Sequence, residues 1–513
     1  MAMDTAMDMA MAMVTETMSA RSIPGQMRHQ GRYIEKRRPT RILADALIFS
    51  AMFLCNLAGA GDWDYSDSIS VGVSAVDRTG SGAYSGEVYQ VSPQFRLAGQ
   101  GGRSSADINY RLVMSLGTGD TDPRPLAHNL IARGDVEAIE DFFFLGANAG
   151  ASLGGNSSST GPVDAINFNE DDGRQSFSFG VQPRFVAPLN RYVTLYSNNS
   201  IDYVTYTEDS ATTNGDSTAT RWNIGARNGR YVGPLDWFGD LSHRTTSYET
   251  RDDDDTRKKA EVGIGYRVDE QWRLRGSVGY ENNDVQTNRS NTSGTIWDIG
   301  TRWTPNPRTS VDASFGSRYF GNAYLVSAWH RSRRTSLTLG LSRDVDNRRT
   351  QSLVDSSLYL FDEDGFIVVD PVTGDPIVAS IPQVDSTDED FVNTRLRGIL
   401  NLIGRRTGVV VTGEVSNRKY EVSSTTEDSY ILSVDAFRRL GSKYTATLGA
   451  GIDHTSYEDS PNSDIYSLRV ALGRELARRT NVSLYLLHRG RTSADDYNEN
   501  RIGIILTSNF LTR

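Results

Sequence analysis

The chain has 513 residues, 54 Lys and Arg against 64 Asp and Glu, and a formal net charge of −10. With no basic stripe or arm, that balance excludes the electrostatic footprint of a nucleic-acid-binding protein. A soluble chain of this length normally divides into several domains, yet no Pro- or Ser-rich linker interrupts it and its pattern is uniform after about residue 62, as in a barrel that grows by adding hairpins.

The Met-rich stretch from Met1 to Met18 resembles neither a signal nor a domain, and translation starts at Met1 or at Met27. Arg32, Lys36, Arg37, Arg38 and Arg41 precede the one strongly apolar run, 42–57, which ends at Ala58-Gly59-Ala60. A basic region, a short apolar region and a small-residue site describe a secretory signal cleaved after Ala60. Asp45 and the shortness of the run argue against a membrane anchor. Cys55 invites a lipoprotein reading, but the larger Leu54 stands where that signal takes a small residue. Cys55 is the only cysteine, so cleavage leaves a mature chain without thiol chemistry, suited to an oxidising compartment. Residues 1–60 thus read as an N-terminal extension and cleavable signal peptide, and 61–513 as the mature chain. No second apolar stretch is long enough for a spanning helix, and the mean hydropathy is −0.45. Entry into a membrane then requires strands, closed into a barrel so that every backbone group is paired.

From Trp63 onward, segments of about ten residues alternate apolar and polar side chains, about twenty in succession. Ile69, Val71, Val73 and Ala75 share a face, as do Tyr89, Val91, Pro93, Phe95 and Leu97, then Ile108, Tyr110, Leu112, Met114 and Leu116. The pattern returns at Phe177, Phe179, Val181, Pro183 and Phe185, at Ala260, Val262, Ile264, Tyr266 and Val268, and at Tyr444, Ala446, Leu448, Ala450 and Ile452. The period is two throughout.

The connections alternate as well. Short turns are expected at 101–105, 187–190, 233–236, 269–271, 305–308, 333–335, 404–408, 439–442 and 478–480, and longer polar loops at 154–173, 208–218, 250–256, 282–293 and 344–390. Short periplasmic turns with long outer loops are the asymmetry of outer-membrane barrels. The expected fold is an all-β, antiparallel up-and-down transmembrane barrel of about 22 strands, with 18–22 admitted. The long extracellular loop 344–390 holds either a hairpin (357–361 and 365–369) or a lid. Tyr192, Trp237, Trp272 and Trp303 lie beside short turns and read as a periplasmic girdle. Arg-Thr pairs at 308, 334, 406 and 479 each open a strand, which suits a headgroup boundary better than a ligand motif. Ile502, Ile504, Leu506 and Phe510 alternate as a last strand, but Leu511-Thr512-Arg513 follow, a departure from the terminal aromatic that barrel assembly machinery reads. No plug domain precedes the strands, which argues against a TonB-dependent receptor.

No catalytic, cofactor-binding or metal-binding residue is assigned. His128, His243, His330, His454 and His488 sit singly, without metal-ligand spacing. Adjacent Asp453 and His454 point to opposite faces of a strand and form no dyad with each other. Asp252-Asp253-Asp254-Asp255 lacks the spacing of a calcium loop, and the Gly-rich 146–155 lacks a phosphate-cradle motif. Arg273 and Arg275, and Arg395 and Arg397, alternate with Leu or Gly and are expected to line the lumen, where Arg rings favour anionic solutes.

Val136-Glu137-Ala138-Ile139-Glu140-Asp141-Phe142-Phe143-Phe144-Leu145, and then Trp303-Thr304-Pro305-Asn306-Pro307-Arg308-Thr309 followed by Gly316-Ser317-Arg318-Tyr319-Phe320-Gly321-Asn322-Ala323-Tyr324 and His330, resemble an uncharacterised family of outer-membrane β-barrel proteins associated with PEP-CTERM and exopolysaccharide gene systems. In that resemblance the motif positions are Trp303, Pro305, Arg308, Arg318, Phe320, Gly321 and His330. It implies an outer-membrane location and a porin-like or accessory part in exopolysaccharide export or assembly, by association only. The implied partners are outer-membrane lipid, the barrel assembly machinery, and exopolysaccharide or its export proteins, with no cofactor and no enzymatic activity. A barrel enzyme acting on lipid, protein or polysaccharide is the alternative, and a secreted β-rich binding protein the third reading.

Overall fold

The computed structural model describes residues 61–155, 173–206, 216–229, 233–249, 253–347, 389–494 and 496–512. The expected signal peptide with its cleavage point, and the hairpin expected at 357–369, lie outside them.

The described residues form 22 strands. They are β1 (Gly61–Gly80), β2 (Tyr84–Gly101), β3 (Ser104–Gly117), β4 (Leu126–Ile139), β5 (Phe143–Gly155), β6 (Gly173–Pro188), β7 (Val193–Tyr206), β8 (Ser217–Asn228), β9 (Leu235–Tyr248), β10 (Asp255–Arg267) and β11 (Trp272–Asp284). They continue with β12 (Ser293–Asn306), β13 (Thr309–Arg318), β14 (Gly321–Arg331), β15 (Thr335–Asp346), β16 (Phe391–Ile403), β17 (Thr407–Tyr420), β18 (Thr426–Arg439), β19 (Tyr444–Tyr457), β20 (Ser463–Ala477), β21 (Thr480–Thr492) and β22 (Tyr497–Thr512). Each strand pairs antiparallel with its sequence neighbours, and the sheet closes where β1 meets β22, from Ser66 opposite Thr512 to Gly80 opposite Tyr497. Closure removes every edge, which is what a sheet in hydrocarbon needs.

Period-two alternation turns this closed sheet inside out relative to a soluble protein. Ile299 is 66% exposed on the outer face, whereas Glu281 on the inner face is 1% exposed. The apolar stretch of β11 from Trp272 through Leu274 and Val278 to Tyr280 runs about 27 Å along the strand, or about 21 Å across a membrane at a tilt of ~40°. That matches the apolar belt of an outer-membrane barrel. Trp272 and Trp303 stack at the lower rim of this belt with ring centroids 5.7 Å apart. The short connections 102–103, 268–271, 307–308, 332–334, 404–406, 440–443 and 478–479 share one end with Gly61 and Thr512, the periplasmic end. A further short turn at 140–142 belongs to the same set. The chain is thus an integral barrel of the cell outer membrane. The last strand runs past Phe510 to Thr512, with a bulge opposite Asp67 and Ser68, and the Phe510 carbonyl accepts a 2.6 Å hydrogen bond from Arg479.

One turn beside the closing seam depends on glycine. Gly80 has φ +97°, and a Cβ there would stand 2.3 Å from the Asp496 carbonyl oxygen, which already accepts a 2.7 Å bond from the Ser81 amide. Gly82 has φ +62° but its nearest neighbour atom lies 3.7 Å from an added Cβ. Gly82→Ala is expected to cost about 1 kcal/mol, and Gly80→Ala about 2 kcal/mol or more because strain adds to the clash. Urea unfolding of the two variants in detergent micelles measures the difference, and equal losses would show that the seam contact carries no weight.

Candidate functional site

Side chains that alternate away from the lipid face converge in the lumen, and near the periplasmic end they form a basic cluster on β8 to β13. Arg273 and Arg275 are set inward by their spacing from lipid-facing Trp272 and Leu274 on β11. Arg273 pairs with Asp236 of β9 at 2.5 Å. Arg275 reaches Asp312 of β13 at 2.8 Å and Asp298 of β12 at 3.9 Å. Arg302 of β12, unmarked in the sequence reading, joins through its Nε at 2.8 Å from the same Asp312. Arg227 of β8 lies over the Tyr196 ring at 5.4 Å. Arg227, Arg273, Arg275, Arg302, Asp236 and Phe238 line a cavity of about 310 Å³. Its wall therefore carries four guanidinium groups, three of them paired with Asp236, Asp298 or Asp312.

Aromatic rings share this level of the lumen. Tyr196, Phe238 and Phe437 lie across Gly225, Gly263 and Gly408 on neighbouring strands, where an added Cβ would fall within 2.6 Å of ring or hydroxyl atoms. Trp329 of β14, opposite Ser310 and Thr338, is 42% exposed on the inner face. These positions were open to recognition: a glycine opposite an aromatic in a polar-facing register leaves space for the ring to lie flat.

Arg395 and Arg397 also face the lumen, on β16. Arg397 stands 3.8 Å from Glu414 of β17, and Arg395 lies opposite Ser342 and Ser416. All four expected lumen arginines are thus inside the barrel, but the two pairs are five strands apart and form separate clusters. Above the second pair, Arg418 and Glu427 form an ion pair at 1% and 2% side-chain exposure. The Tyr420 hydroxyl donates to Glu427 at 2.9 Å, and Arg418 lies over Phe391 at 5.8 Å.

At the outer mouth, segments distant in sequence are tied together. The loop 285–292 between β11 and β12 reaches the turn after β17. The Asn288 amide donates to the Glu421 carbonyl at 2.9 Å, Thr287 donates to the Glu421 carboxylate at 2.9 Å, and Arg289 clasps that carboxylate at 2.5 and 2.8 Å. Asn288 also donates from its side chain to the Val422 carbonyl. The Glu421 amide in turn donates to the Asp390 carbonyl at 2.9 Å, and Arg257 of β10 pairs with the Asp390 carboxylate at 2.5 Å. Arg318, at the end of β13, joins Glu281 at 2.8 Å and Asp344 at 2.5 Å. Tyr319 sits among Arg257, Asp390, Glu421 and Arg318, and burial pushes its phenol above the usual tyrosine range. It therefore stays neutral while the charges around it pair. Hydrogen bonding to Glu421 likewise holds the Arg289 guanidinium above its ordinary value.

The family-like motif residues fall into two groups at opposite ends of β12 to β14. Trp303, Pro305, Arg308 and His330 lie at the periplasmic end, where the Arg308 carbonyl accepts from the Arg331 amide at 2.8 Å and His330 bonds Thr309 at 2.8 Å. Arg318, Phe320 and Gly321 lie at the outer turn, Phe320 buried and Gly321 at φ +107°. The five histidines all project from the outer face in register. His454 is bonded to Asp464 of the adjacent strand at 2.6 Å, not to Asp453; the register across two strands, which spacing along one strand does not reveal, makes that pair. Among the described residues no group of three or more His, Cys, Asp or Glu is placed to hold a metal.

No family model and no curated protein sequence matches the chain. Among solved structures it is similar to the siderophore receptor PirA from Acinetobacter baumannii, at 7% identity and TM-score 0.45, covering 86% of this chain and 80% of that one. It is also similar to the FrpB iron transporter from Neisseria meningitidis, at 10% identity and TM-score 0.43, covering 88% and 83%. A third similar structure is OccK8 (OprE) of Pseudomonas aeruginosa, at 9% identity and TM-score 0.31, covering 88% and 99%.

Proposed function

We propose that this outer-membrane barrel is a non-enzymatic, porin-like conduit or accessory component in the export or assembly of an acidic exopolysaccharide, within a PEP-CTERM-linked system. The observation that carries the reading is the lumenal cavity lined by Arg227, Arg273, Arg275 and Arg302, with Asp236 in its wall and Asp298 and Asp312 beside the arginines. Fixed guanidinium groups along a polar passage attract anions and repel cations. The resemblance around Trp303 and Arg318 supplies the link to polysaccharide.

Purified protein in planar bilayers tests it. The expected result is an anion-selective current whose selectivity falls in Arg302→Gln. That substitution removes one fixed positive charge and leaves Asp312 paired with Arg275 at 2.8 Å. No current at any voltage removes the conduit, and cation selectivity removes the arginine wall as its filter.

A further inference from the structure

We infer that the cavity between Phe238 and Arg302 is a subsite for a uronic-acid residue of a glycan entering the lumen from the periplasm. The inference rests on the conduit reading and names the chemistry its passage selects.

A uronate ring presents two things to a wall: a flat face of C–H bonds and a planar carboxylate at its edge. The cavity offers a partner for each. An added Cβ on Gly263 would meet three carbons of the Phe238 ring at 2.3, 2.5 and 3.1 Å, so the ring extends over the glycine, in space that a side chain there would fill. A flat aromatic face takes up an apolar sugar face without needing to desolvate a polar group. For the carboxylate, Arg302 is the suited donor. Its side chain is 54% exposed. Its hydrogen bond to Asp312 is made by Nε, and its two terminal Nη groups form the fork that grips a carboxylate with two parallel bonds. Arg273 is held by Asp236 at 2.5 Å and Arg275 by Asp312 at 2.8 Å, which sets their positive charge in place around the same space. A volume of about 310 Å³ is at the small end of ligand clefts, fitting one sugar ring of a longer chain. The position also fits passage. Phe238 is the fourth residue of β9 and Arg273 the second of β11, so a chain entering from the periplasmic end meets this subsite first. The rings of Tyr196 and Phe437, each across from a glycine, and the exposed Trp329 also stand toward the periplasmic end of the wall.

Calorimetric titration of the full barrel in detergent micelles tests the subsite, with tetragalacturonate as probe, cellotetraose as the neutral control and acetate as the small anion. Tetragalacturonate is expected to bind, with cellotetraose and acetate each at least about tenfold weaker, because each offers only one of the two features. Arg302→Gln is expected to weaken tetragalacturonate about tenfold and leave cellotetraose unchanged, while Phe238→Leu weakens both sugars. Lys258→Gln, on the outer face, leaves all three unchanged. Heat-modifiable gel mobility confirms that each variant is folded. Equal affinity for acetate and tetragalacturonate would reduce the cavity to a simple anion site, and equal affinity for the charged and neutral sugars would remove the guanidinium role; either overturns the subsite. An anion-selective current without tetragalacturonate binding sinks the subsite and spares the conduit. Binding without current does the reverse.

Discussion

Arg418→Met is expected to destabilise the barrel by about 3–5 kcal/mol, the usual consequence of leaving a buried carboxylate without its counter-charge. Both members of the pair are almost wholly shielded, at 1% and 2% side-chain exposure, so water does not replace the lost guanidinium as it would at the surface. Glu427 would keep only the Tyr420 hydroxyl, at 2.9 Å. The thioether chain of Met fills most of the space over Phe391, which limits the packing loss. The companion variant Arg418→Met/Glu427→Gln separates charge from packing. Its amide oxygen still accepts the Tyr420 hydroxyl and no ion is buried, so the double variant is expected to recover more than half of the loss. Urea unfolding in micelles, followed by intrinsic fluorescence and by heat-modifiable mobility, reads both values. A single-variant loss below about 1 kcal/mol would show that the pair is solvated in practice. A double variant as unstable as the single would assign the loss to packing.

The same residues show what sequence makes legible in a barrel and what it hides. Period-two alternation is a local signal, and it marks strands such as Ala260 to Val268 because lipid on one side and a polar lumen on the other impose opposite chemistry on successive side chains. Turn length is local too, which is why the short connections at 268–271 and 404–406 were readable along with the strand number. The same local signal put Arg273, Arg275, Arg395 and Arg397 inside. Their partners were not readable. Asp312 lies 37 residues from Arg275, Asp236 lies 37 residues before Arg273, and Asp390 lies 133 residues from Arg257; register around a closed sheet brings the first two pairs together, and the third meets at the outer mouth between segments that are not neighbours in the sheet. Arg318-Tyr319-Phe320-Gly321 was recognisable as a motif without a reason. The structure supplies one: Arg318 docks on Glu281, and Tyr319 becomes the neutral centre of the mouth cluster.

That cluster carries the second large effect. Loop 285–292 reaches the turn after β17 and is fastened there as a strap, chiefly at Glu421. Glu421→Ala removes three side-chain hydrogen bonds, from Thr287 and twice from Arg289. All three end on an ionised carboxylate and two also start from a cation, together about 3 kcal/mol or more. Applied to an equilibrium between a fastened and a released strap, that loss raises the released population on the order of 100-fold. Single-channel recording is expected to show longer dwell in the higher-conductance level, and hydrogen exchange at the Asn288 amide is expected to quicken in step. Arg289→Ala separates fastening from burial. Glu421 is 3% exposed and Arg289 34%, so removing the arginine strands a buried carboxylate, whereas removing the carboxylate leaves an arginine that water reaches. Arg289→Ala is therefore expected to be the more damaging of the two. The double variant should fall near Glu421→Ala, because once the carboxylate is gone the arginine has nothing left to fasten. Additive effects would mean that the two residues act separately, and unchanged dwell times in Glu421→Ala would mean that the strap is held elsewhere. The ion pair between Arg257 and Asp390, at 2.5 Å, is the contact to test next in that case, since Asp390 also accepts the Glu421 amide at 2.9 Å and anchors the far side of the same fastening.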